Sequence, residues 1–368
     1  MSKAAELANL IGNINAGGGG VNRNLIINGA MNVSQRGTSH AFAHDGTANA
    51  YTLDRFFFET NAMDELDVTV TQDSSVPSGQ GFSNSMKVDI TTAESTLASD
   101  EFVRILQKIE AQNLQVLNYG TSDAKTTTLS FWVKSNLTGA FAVSMYEADG
   151  NRIIGSTYTI SSADTWEKKT ITFIGDTGGT INDDNGEGFW LNFCLATGSD
   201  RTGTDNSSWG AFANAKLFNG QVANITSSAS NDFYLTGVQL EVGQNPTTFE
   251  HEPFEKTLLK CKRYFFAKNT SYEPLGAGVW YGAGNILADY TFEVEMRSAP
   301  TMSVKSADFG VAYEGGASNT TNTTSCFDNI ATRGARLNIA GWATNGTSGH
   351  GAYVQLNDSE YVYADAEL

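Results

Sequence analysis

Short strand-like segments follow one another through most of residues 22–252, and this pattern constrains the fold more than any other feature of the chain. Each segment alternates apolar and polar residues or is rich in β-branched residues, and Gly, Asp, Asn or Ser separates it from the next. No segment between them has the length and period of a helix. We therefore predict an all-β fold, a two-sheet sandwich of the jelly-roll type. The clearest strands are predicted at 66–71, 86–91, 102–109, 128–134, 141–147, 153–160, 170–174 and 188–196, with a tight hairpin at Asp149, Gly150 and Asn151.

The end of this domain is marked by a last strand and then a helix. Alternation along 234–241 predicts a strand buried on one face only, carried by Tyr234, Thr236, Val238 and Leu240. Pro253 suits the first turn of a helix, and apolar residues follow it at helical spacing at Phe254, Leu258 and Cys261. The chain is therefore divided into an N-terminal segment (1–21), the sandwich (22–252) and a smaller domain (253–368).

Residues 253–368 are predicted to form a short helix and a second β domain. Its clearest strand is 287–297, whose inward face would carry Tyr290, Phe292, Val294 and Met296. The segment 315–324, rich in Gly, Asn and Thr, has nothing to bury and is predicted to be a long exposed loop.

The N-terminal segment combines a short amphipathic helix with a flexible tether. Apolar residues line one stripe of 3–15, and they include Leu7, Leu10, Ile11 and Ile14. A helix this short is not stable alone in water, and the glycines at 17–20 let it reorient. We interpret it as an attachment peptide that bundles with copies of itself or docks in a groove of another protein, the alternative being a helix packed on its own domain.

Composition and charge exclude several classes of protein. The chain has 368 residues, 40% of them hydrophobic, which is enough for ordinary cores. A net charge of -17, with 23 scattered basic residues, argues against nucleic-acid binding. Three cysteines without CxxC spacing are predicted to be reduced and buried. No signal-peptide core or 18-residue apolar stretch is present, so we expect no membrane insertion and synthesis in the cytoplasm.

The sequence offers no strong case for catalysis or a cofactor. Four dispersed histidines and the absence of G-x-S-x-G argue against a nucleophilic centre. A metal site at His40, His44 and Asp45 is disfavoured, because this segment is predicted to be a loop. The acidic loop 182–187 could suit calcium but lacks the EF-hand register, so calcium is possible but unsupported. Carboxylates for a glycosidase pair are plentiful, yet only their distance in space would identify one. We expect a protein that is not an enzyme.

Aromatic residues in predicted loops are the better candidates for function. A sugar ring can stack on an aromatic face beside polar side chains, which makes these residues candidates for receptor binding: Trp209, Phe212, Trp280, Tyr281, Trp342, Tyr353 and Tyr361. The alternative is that they belong to cores or subunit contacts, as most tryptophans do. Trp132 and Trp190 lie within predicted strands and are interpreted as structural.

Three blocks of sequence resemble tail-fibre proteins of tailed, podovirus-like bacteriophages. The first block is NLIINGAMNVSQRGTS at 24–39 with Tyr51, Asp54 and Arg55, where Phe56 replaces the family's usual tryptophan. The second is the junction GVQLEVG at 237–243 with ExxLLxCxRYF at 255–265. The third is MRSAPTM at 296–302 with the terminal DAEL at 365–368. The resemblance covers most of 22–368 and is weakest at 61–124 and 307–332.

The resemblance implies a structural subunit of the virion tail that attaches through its N-terminus to tail or nozzle proteins. It implies a homotrimer, a jelly-roll domain similar to carbohydrate-binding modules, and a C-terminal β domain (253–368) that presents its loops to a host cell-surface receptor, either a polysaccharide or a protein. The net charge of -17 would make adsorption to an anionic surface depend on salt. Two alternatives stay open: a structural tail adaptor without receptor contact, and a glycan-active depolymerase.

Overall fold

A computed structural model gives the structure of the chain. It describes residues 2–15, 22–43, 46–268, 272–281, 285–304, 308–313, 318–322, 326–340, 347–356 and 361–368. The chain divides into two compact units: unit 1 contains Met1–Thr257 and Leu368, and unit 2 contains Leu258–Glu367. In the described part of the chain, no helix has the length and hydropathy to cross a membrane.

Unit 1 consists of a short helix followed by a long series of strands. In the described residues these are α1 (Lys3–Asn15), β1 (Ser39–Phe42), β2 (Asn49–Tyr51), β3 (Phe57–Asn61), β4 (Asp67–Asp73), β5 (Ser85–Thr92), β6 (Phe102–Glu110), β7 (Thr127–Ser135), β8 (Gly139–Glu147), β9 (Arg152–Ile160), β10 (Glu167–Phe173), β11 (Glu187–Thr197), β12 (Gly210–Ala211) and β13 (Asp232–Val242). All eight strands predicted up to residue 196 are present, with ends that shift by at most three residues. The hairpin between β8 and β9 is also confirmed, with Asn151 at a φ of 49°.

Two antiparallel sheets build the sandwich of unit 1. One has the order β1-β4-β5-β13-β7-β10, and the other has the order β12-β9-β8-β11-β6-β3-β2. Their inner faces share one hydrophobic core, in which the ring centroids of Phe131 (β7) and Phe193 (β11) are 5.1 Å apart and nearly perpendicular. The predicted all-β sandwich of jelly-roll type is thus confirmed.

Strand β13 differs from its prediction because it contains a bulge. Its register against β7 shifts between Thr236 and Gln239, and Gly237 lies at a φ of 62°. The core side chains are Leu235 before the shift and Val238 after it, so inward positions change from odd to even numbers. The prediction of one continuous face from 234 to 240 was therefore wrong, and so was the prediction of a half-buried strand, since nearly all of β13 is buried.

Unit 2 contains the rest of the described elements. They are α2 (Phe254–Lys262), which begins in unit 1, and then β14 (Phe265–Lys268), β15 (Pro274–Trp280), β16 (Ile286–Thr291), β17 (Thr301–Val304), β18 (Asp308–Tyr313), β19 (Ser318–Asn322), β20 (Phe327–Ala331), β21 (Gly334–Ile339), β22 (Gly351–Leu356) and β23 (Val362–Asp365). The larger sheet has the order β19-β18-β22-β15-β16-β21-β20, and the smaller has the order β14-β23-β17. Both pack around a core that includes Phe266, Tyr290 and Leu337. The predicted smaller β domain is confirmed.

Two predictions for unit 2 need correction. The strand predicted at 287–297 ends at Thr291, although Tyr290, Phe292 and Met296 are buried as predicted. The predicted loop 315–324 contains β19, which pairs with β18 as a hairpin edge. A strand needs no apolar side chain of its own when a neighbouring strand satisfies its backbone hydrogen bonds. The prediction of a loop, which was based on composition alone, was wrong for this reason.

The remaining expectations concern the tether and the cysteines. The glycine tether at 17–20 lies outside the described residues, as do His44 and Asp45. Cys194, Cys261 and Cys326 are buried and reduced, as predicted.

Candidate functional site

A cleft of about 300 Å³ lies on the outer face of the seven-stranded sheet of unit 1. Alternation along the strands decides which side chains reach it. On β11, Phe189 and Leu191 enter the sandwich core while Trp190 points to the opposite face. The lining residues are Glu59, Asn61, Phe102, Arg104, Tyr146, Trp190, Arg201, Phe212 and Leu217.

Strand register brings these residues together from distant parts of the sequence. Glu59 on β3 is directly opposite Arg104 on β6, and Trp190 on β11 is directly opposite Tyr146 on β8. Residues opposite each other in antiparallel strands share a face of the sheet. The cleft therefore crosses four adjacent strands, and loops following β11 and β12 complete its rim.

One side of the cleft is an aromatic wall formed by Tyr146, Trp190 and Phe212. The Tyr146 ring centroid is 5.2 Å from that of Trp190 and 5.0 Å from that of Phe212, both edge-on. The Trp190 Nε1–H donates to Glu187 Oε2 (2.8 Å), and the Tyr146 hydroxyl donates to Asn151 Oδ1 (3.1 Å). Burial, with the nearby Glu187 carboxylate, raises the pKa of Tyr146, so its phenol stays neutral. The wall is thus fixed before any ligand arrives.

A cationic wall formed by Phe102, Arg104 and Arg201 adjoins the aromatic wall. The Arg104 guanidinium carbon lies 5.5 Å from the Trp190 ring centroid, and Lys108 Nζ lies 4.5 Å from the same centroid. The guanidinium carbons of Arg104 and Arg201 lie 5.3 and 5.1 Å from the Phe102 ring centroid. Arg104 donates from Nε to Glu59 Oε2 (2.7 Å) and from Nη1 to Asn192 Oδ1 (3.0 Å). Burial lowers the pKa of Arg104 and the Glu59 carboxylate opposes this shift; the guanidinium stays charged.

This arrangement suits the binding of a small ligand with apolar faces and polar edges. Ligand clefts in proteins combine apolar and aromatic walls with a few placed polar groups, and their volumes begin at about 300 Å³. A sugar ring has this double character, because its C–H faces can pack on aromatic rings while its hydroxyls take hydrogen bonds. Of the lining residues, only Glu59 is a carboxylate, and it is ion-paired with Arg104.

A pair of carboxyl groups meets elsewhere in unit 1, below the surface. Glu147 and Asp176 are 0% and 2% exposed. Arg152 Nη2 donates to Asp176 Oδ1 (3.0 Å), and the backbone N–H of Thr180 donates to Glu147. Burial raises the pKa of Glu147 to about 7, and its neighbour Asp176 adds to the shift. Both carboxyl groups are enclosed as they are packed, which favours a structural role for the pair.

The polar side chains of the acidic loop 182–187, which was considered for calcium, are bound to other groups of the protein. Asn182 donates to Asp149 Oδ1 (2.7 Å), Asp184 Oδ1 accepts from the Gly186 N–H (2.8 Å), and Glu187 is paired with Lys108. Within the described ranges, no three His, Cys, Asp or Glu side chains come together in a way that could hold a metal ion.

Of the two aromatic candidates in unit 1, only Phe212 lines the cleft. Trp209 packs on the core, with its ring centroid 5.7 Å from Tyr119 and 6.0 Å from Phe189. Its Nε1–H donates to the backbone oxygen of Ile174 (2.7 Å). This placement suits a structural role better than ligand stacking.

The candidates in unit 2 lie in different environments. Trp280 is 1% exposed and belongs to the core, so its ring is not accessible to a ligand. Tyr281 is 64% exposed, and Tyr353 on β22 is half-buried. Tyr361 stacks on Tyr363 with a centroid distance of 4.0 Å. Trp342 lies outside the described residues.

The apolar stripe of α1 is partly open. Leu7 and Ile11 are 57% and 49% exposed, and Leu10 is half-buried. The side chain of Ile14 lies outside the described residues.

Eight of the nine lining residues were not predicted from the sequence, Phe212 being the exception, and Trp190 was interpreted as structural. Phe102, Arg104, Tyr146 and Trp190 all lie on strands, at positions whose parity points away from the core. Large aromatic or cationic side chains on the outer face of a strand were the available signal. These four residues can be recognised as one site only when the strand register is known, because they span 102–190 in sequence.

Comparisons with known proteins give weak structural likenesses only. No protein-family profile and no curated protein sequence matches the chain. The enzymatically active domain of bacteriophage CBA120 tailspike protein 4 is 13% identical, with a TM-score of 0.31; the likeness covers 60% of this chain and only 21% of that one. The family 11 carbohydrate-binding module of Clostridium thermocellum, in complex with a mixed-linked tetrasaccharide, is 13% identical over 58% of this chain and 98% of its own, with a TM-score of 0.28. TmCBM61 in complex with β-1,4-galactotriose is 8% identical over 60% and 99%, with a TM-score of 0.27. TM-scores this low do not establish a shared function.

Proposed function

We propose that unit 1 binds a saccharide in the cleft, and that the chain serves a tailed bacteriophage by binding a host cell-surface glycan during adsorption. The observation that carries this proposal is the cleft itself, in which a rigid aromatic wall adjoins the guanidinium groups of Arg104 and Arg201. The three sequence blocks that resemble tail fibres supply the biological setting.

The rest of the proposal concerns assembly. Attachment to the tail would use the stripe of α1 that carries Leu7, Leu10, Ile11 and Ile14, and the exposure of Leu7 and Ile11 leaves apolar surface for a partner. Self-association as a homotrimer is proposed from the resemblance alone. The activity proposed is binding rather than catalysis.

The test compares Trp190→Ala with Trp166→Ala on a bacterial glycan array and in pull-downs with host cells. Trp166 is a matched control, because it is a half-buried tryptophan of the same unit that lies against Tyr234 and does not line the cleft. Central aromatic residues of a binding site contribute about 2 kcal/mol or more. We therefore expect Trp190→Ala to weaken glycan binding about 30-fold, and Trp166→Ala to leave it unchanged.

Other outcomes would support other functions. Equal loss in both variants, or none in either, would contradict binding in the cleft. Absence of cell binding by a chain that antibodies locate on the virion would favour the structural adaptor. Release of reducing sugar from host envelope would favour a depolymerase.

A further inference from the structure

The two arginines of the cationic wall differ in their partners. Arg104 is paired with Glu59 and Asn192, so its charge is already balanced. Arg201 forms no ion pair with any described carboxylate, and its Nε lies enclosed without a hydrogen-bond acceptor in the described part of the chain. The cleft lining therefore carries one unbalanced positive charge.

The position of Arg201 is set by its backbone. It ends a short 3-10 turn (Ser199–Arg201), and its carbonyl oxygen accepts from the backbone N–H of Phe218 (2.9 Å). Its guanidinium is then held over Phe102. An enclosed N–H without an acceptor is unfavourable unless a ligand supplies one. A ligand in the cleft would meet the terminal N–H groups of this guanidinium rather than the enclosed Nε–H, and no described carboxylate is paired with them.

We propose that the cleft selects a carboxylate-bearing saccharide, whose carboxylate pairs with Arg201 while its ring lies against the aromatic wall. This inference rests on the proposed function and names the ligand class of the same cleft. The planar guanidinium matches a planar carboxylate in a bidentate pair. A singly charged group also fits the charge balance, because one cation is unpaired and the Glu59 carboxylate in the same lining would repel a dianionic phosphate.

The net charge of the chain makes the salt dependence of binding difficult to interpret. At -17, the protein repels anions at long range, and salt weakens this repulsion as well as the pair with Arg201. Salt dependence is therefore a poor readout. A comparison of acidic and neutral forms of one ligand at fixed ionic strength isolates the contribution of Arg201.

The experiment uses uronate-containing and sialate-containing oligosaccharides before and after amidation of their carboxylates, with sulfated oligosaccharides as a further arm, at constant salt. We expect the native chain to bind the acidic forms at least tenfold more tightly than the amides. Arg201→Gln should abolish this preference and keep the affinity for the amides. Arg201→Lys should retain part of it. Arg333→Gln is the charge-matched control, since Arg333 is highly exposed in unit 2, and it should keep the preference in full.

The outcomes separate this inference from the proposed function. Binding that depends on Trp190 but is unchanged by amidation would overturn the choice of an acidic ligand and leave saccharide binding intact. A preference that survives in Arg201→Gln, or that is confined to sulfated ligands, would also overturn it. If the native chain shows no saccharide binding that depends on Trp190, both the choice of an acidic ligand and the proposed function are overturned. Circular dichroism of each variant confirms that the comparison is made on folded protein.

Discussion

Replacement of Gly237 by alanine is expected to destabilise unit 1 through a clash at the bulge of β13. An added Cβ would lie 2.6 Å from the Phe82 ring and 3.0 Å from Trp132. The Phe82 ring centroid is 4.9 Å from Phe249 and 5.0 Å from His251, so a shift of Phe82 would disturb both of these ring contacts. The left-handed backbone adds a second cost, since Gly237 has a φ of 62°. The first effect is therefore steric and the second conformational.

The size of the effect follows from these two contributions. Left-handed backbone costs about 1–2 kcal/mol for a residue with a Cβ, and overpacking costs about 1–3 kcal/mol. Alanine also lowers the conformational entropy of the unfolded chain, which stabilises the folded protein by about 0.4–1 kcal/mol. Gly237→Ala should thus lower the free energy of unfolding by about 1–4.5 kcal/mol.

Gly79→Ala is the matched control for the backbone contribution. Gly79 has a φ of 73°, and a Cβ there would meet nothing within 4 Å, so we expect a loss of only about 1 kcal/mol. Urea titrations of the full chain, read by pulsed hydrogen exchange in peptides of β13, give the local free energy of opening. Equal losses in the two variants would refute the steric argument.

The remaining predictions concern two other positions in unit 1. Glu147→Gln should raise the Tm more at pH 8 than at pH 5: the folded pKa of about 7 is above the ordinary value of 4.5, so ionisation of Glu147 destabilises the native chain as the pH rises through this window. A Tm difference that does not change with pH would contradict this. Trp209→Phe should lower the free energy of unfolding by about 1–3 kcal/mol, because it removes the hydrogen bond to Ile174 and leaves space in the core. Its glycan affinity should equal that of the native chain, and a loss would restore Trp209 as a ligand contact.

The strands of the sandwich could be predicted from the sequence because alternation is a local signal. It identified β8 and β11 to within two residues. It failed at β13, since one glycine in left-handed conformation reverses the parity of every residue that follows. No local pattern distinguishes that glycine from one in an ordinary strand.

The candidate site was much less predictable than the fold. Phe212 was found because it lies in a polar loop, whereas Trp190 was missed because strand aromatics were assumed to be core residues. Trp280 shows the opposite error. It was predicted to lie in a loop and to be available to a ligand, but it is the last residue of β15 and is buried. Whether an aromatic side chain faces a core or a ligand depends on the pairing of strands that are distant in sequence, and one sequence does not contain that information.

Each wall of the cleft combines two kinds of support. Trp190 and Tyr146 are fixed by paired central strands, whereas Arg201 and Phe212 belong to short irregular segments after β11 and β12. Substitutions at the exposed positions of these segments can change the rim without disturbing the sandwich core. The exposed residues of these segments, at 203–205, 207–208 and 213–214, can therefore vary while the strands and the core contact of Trp209 stay constant. The same residues are the natural target for a library that selects variants with altered ligand preference.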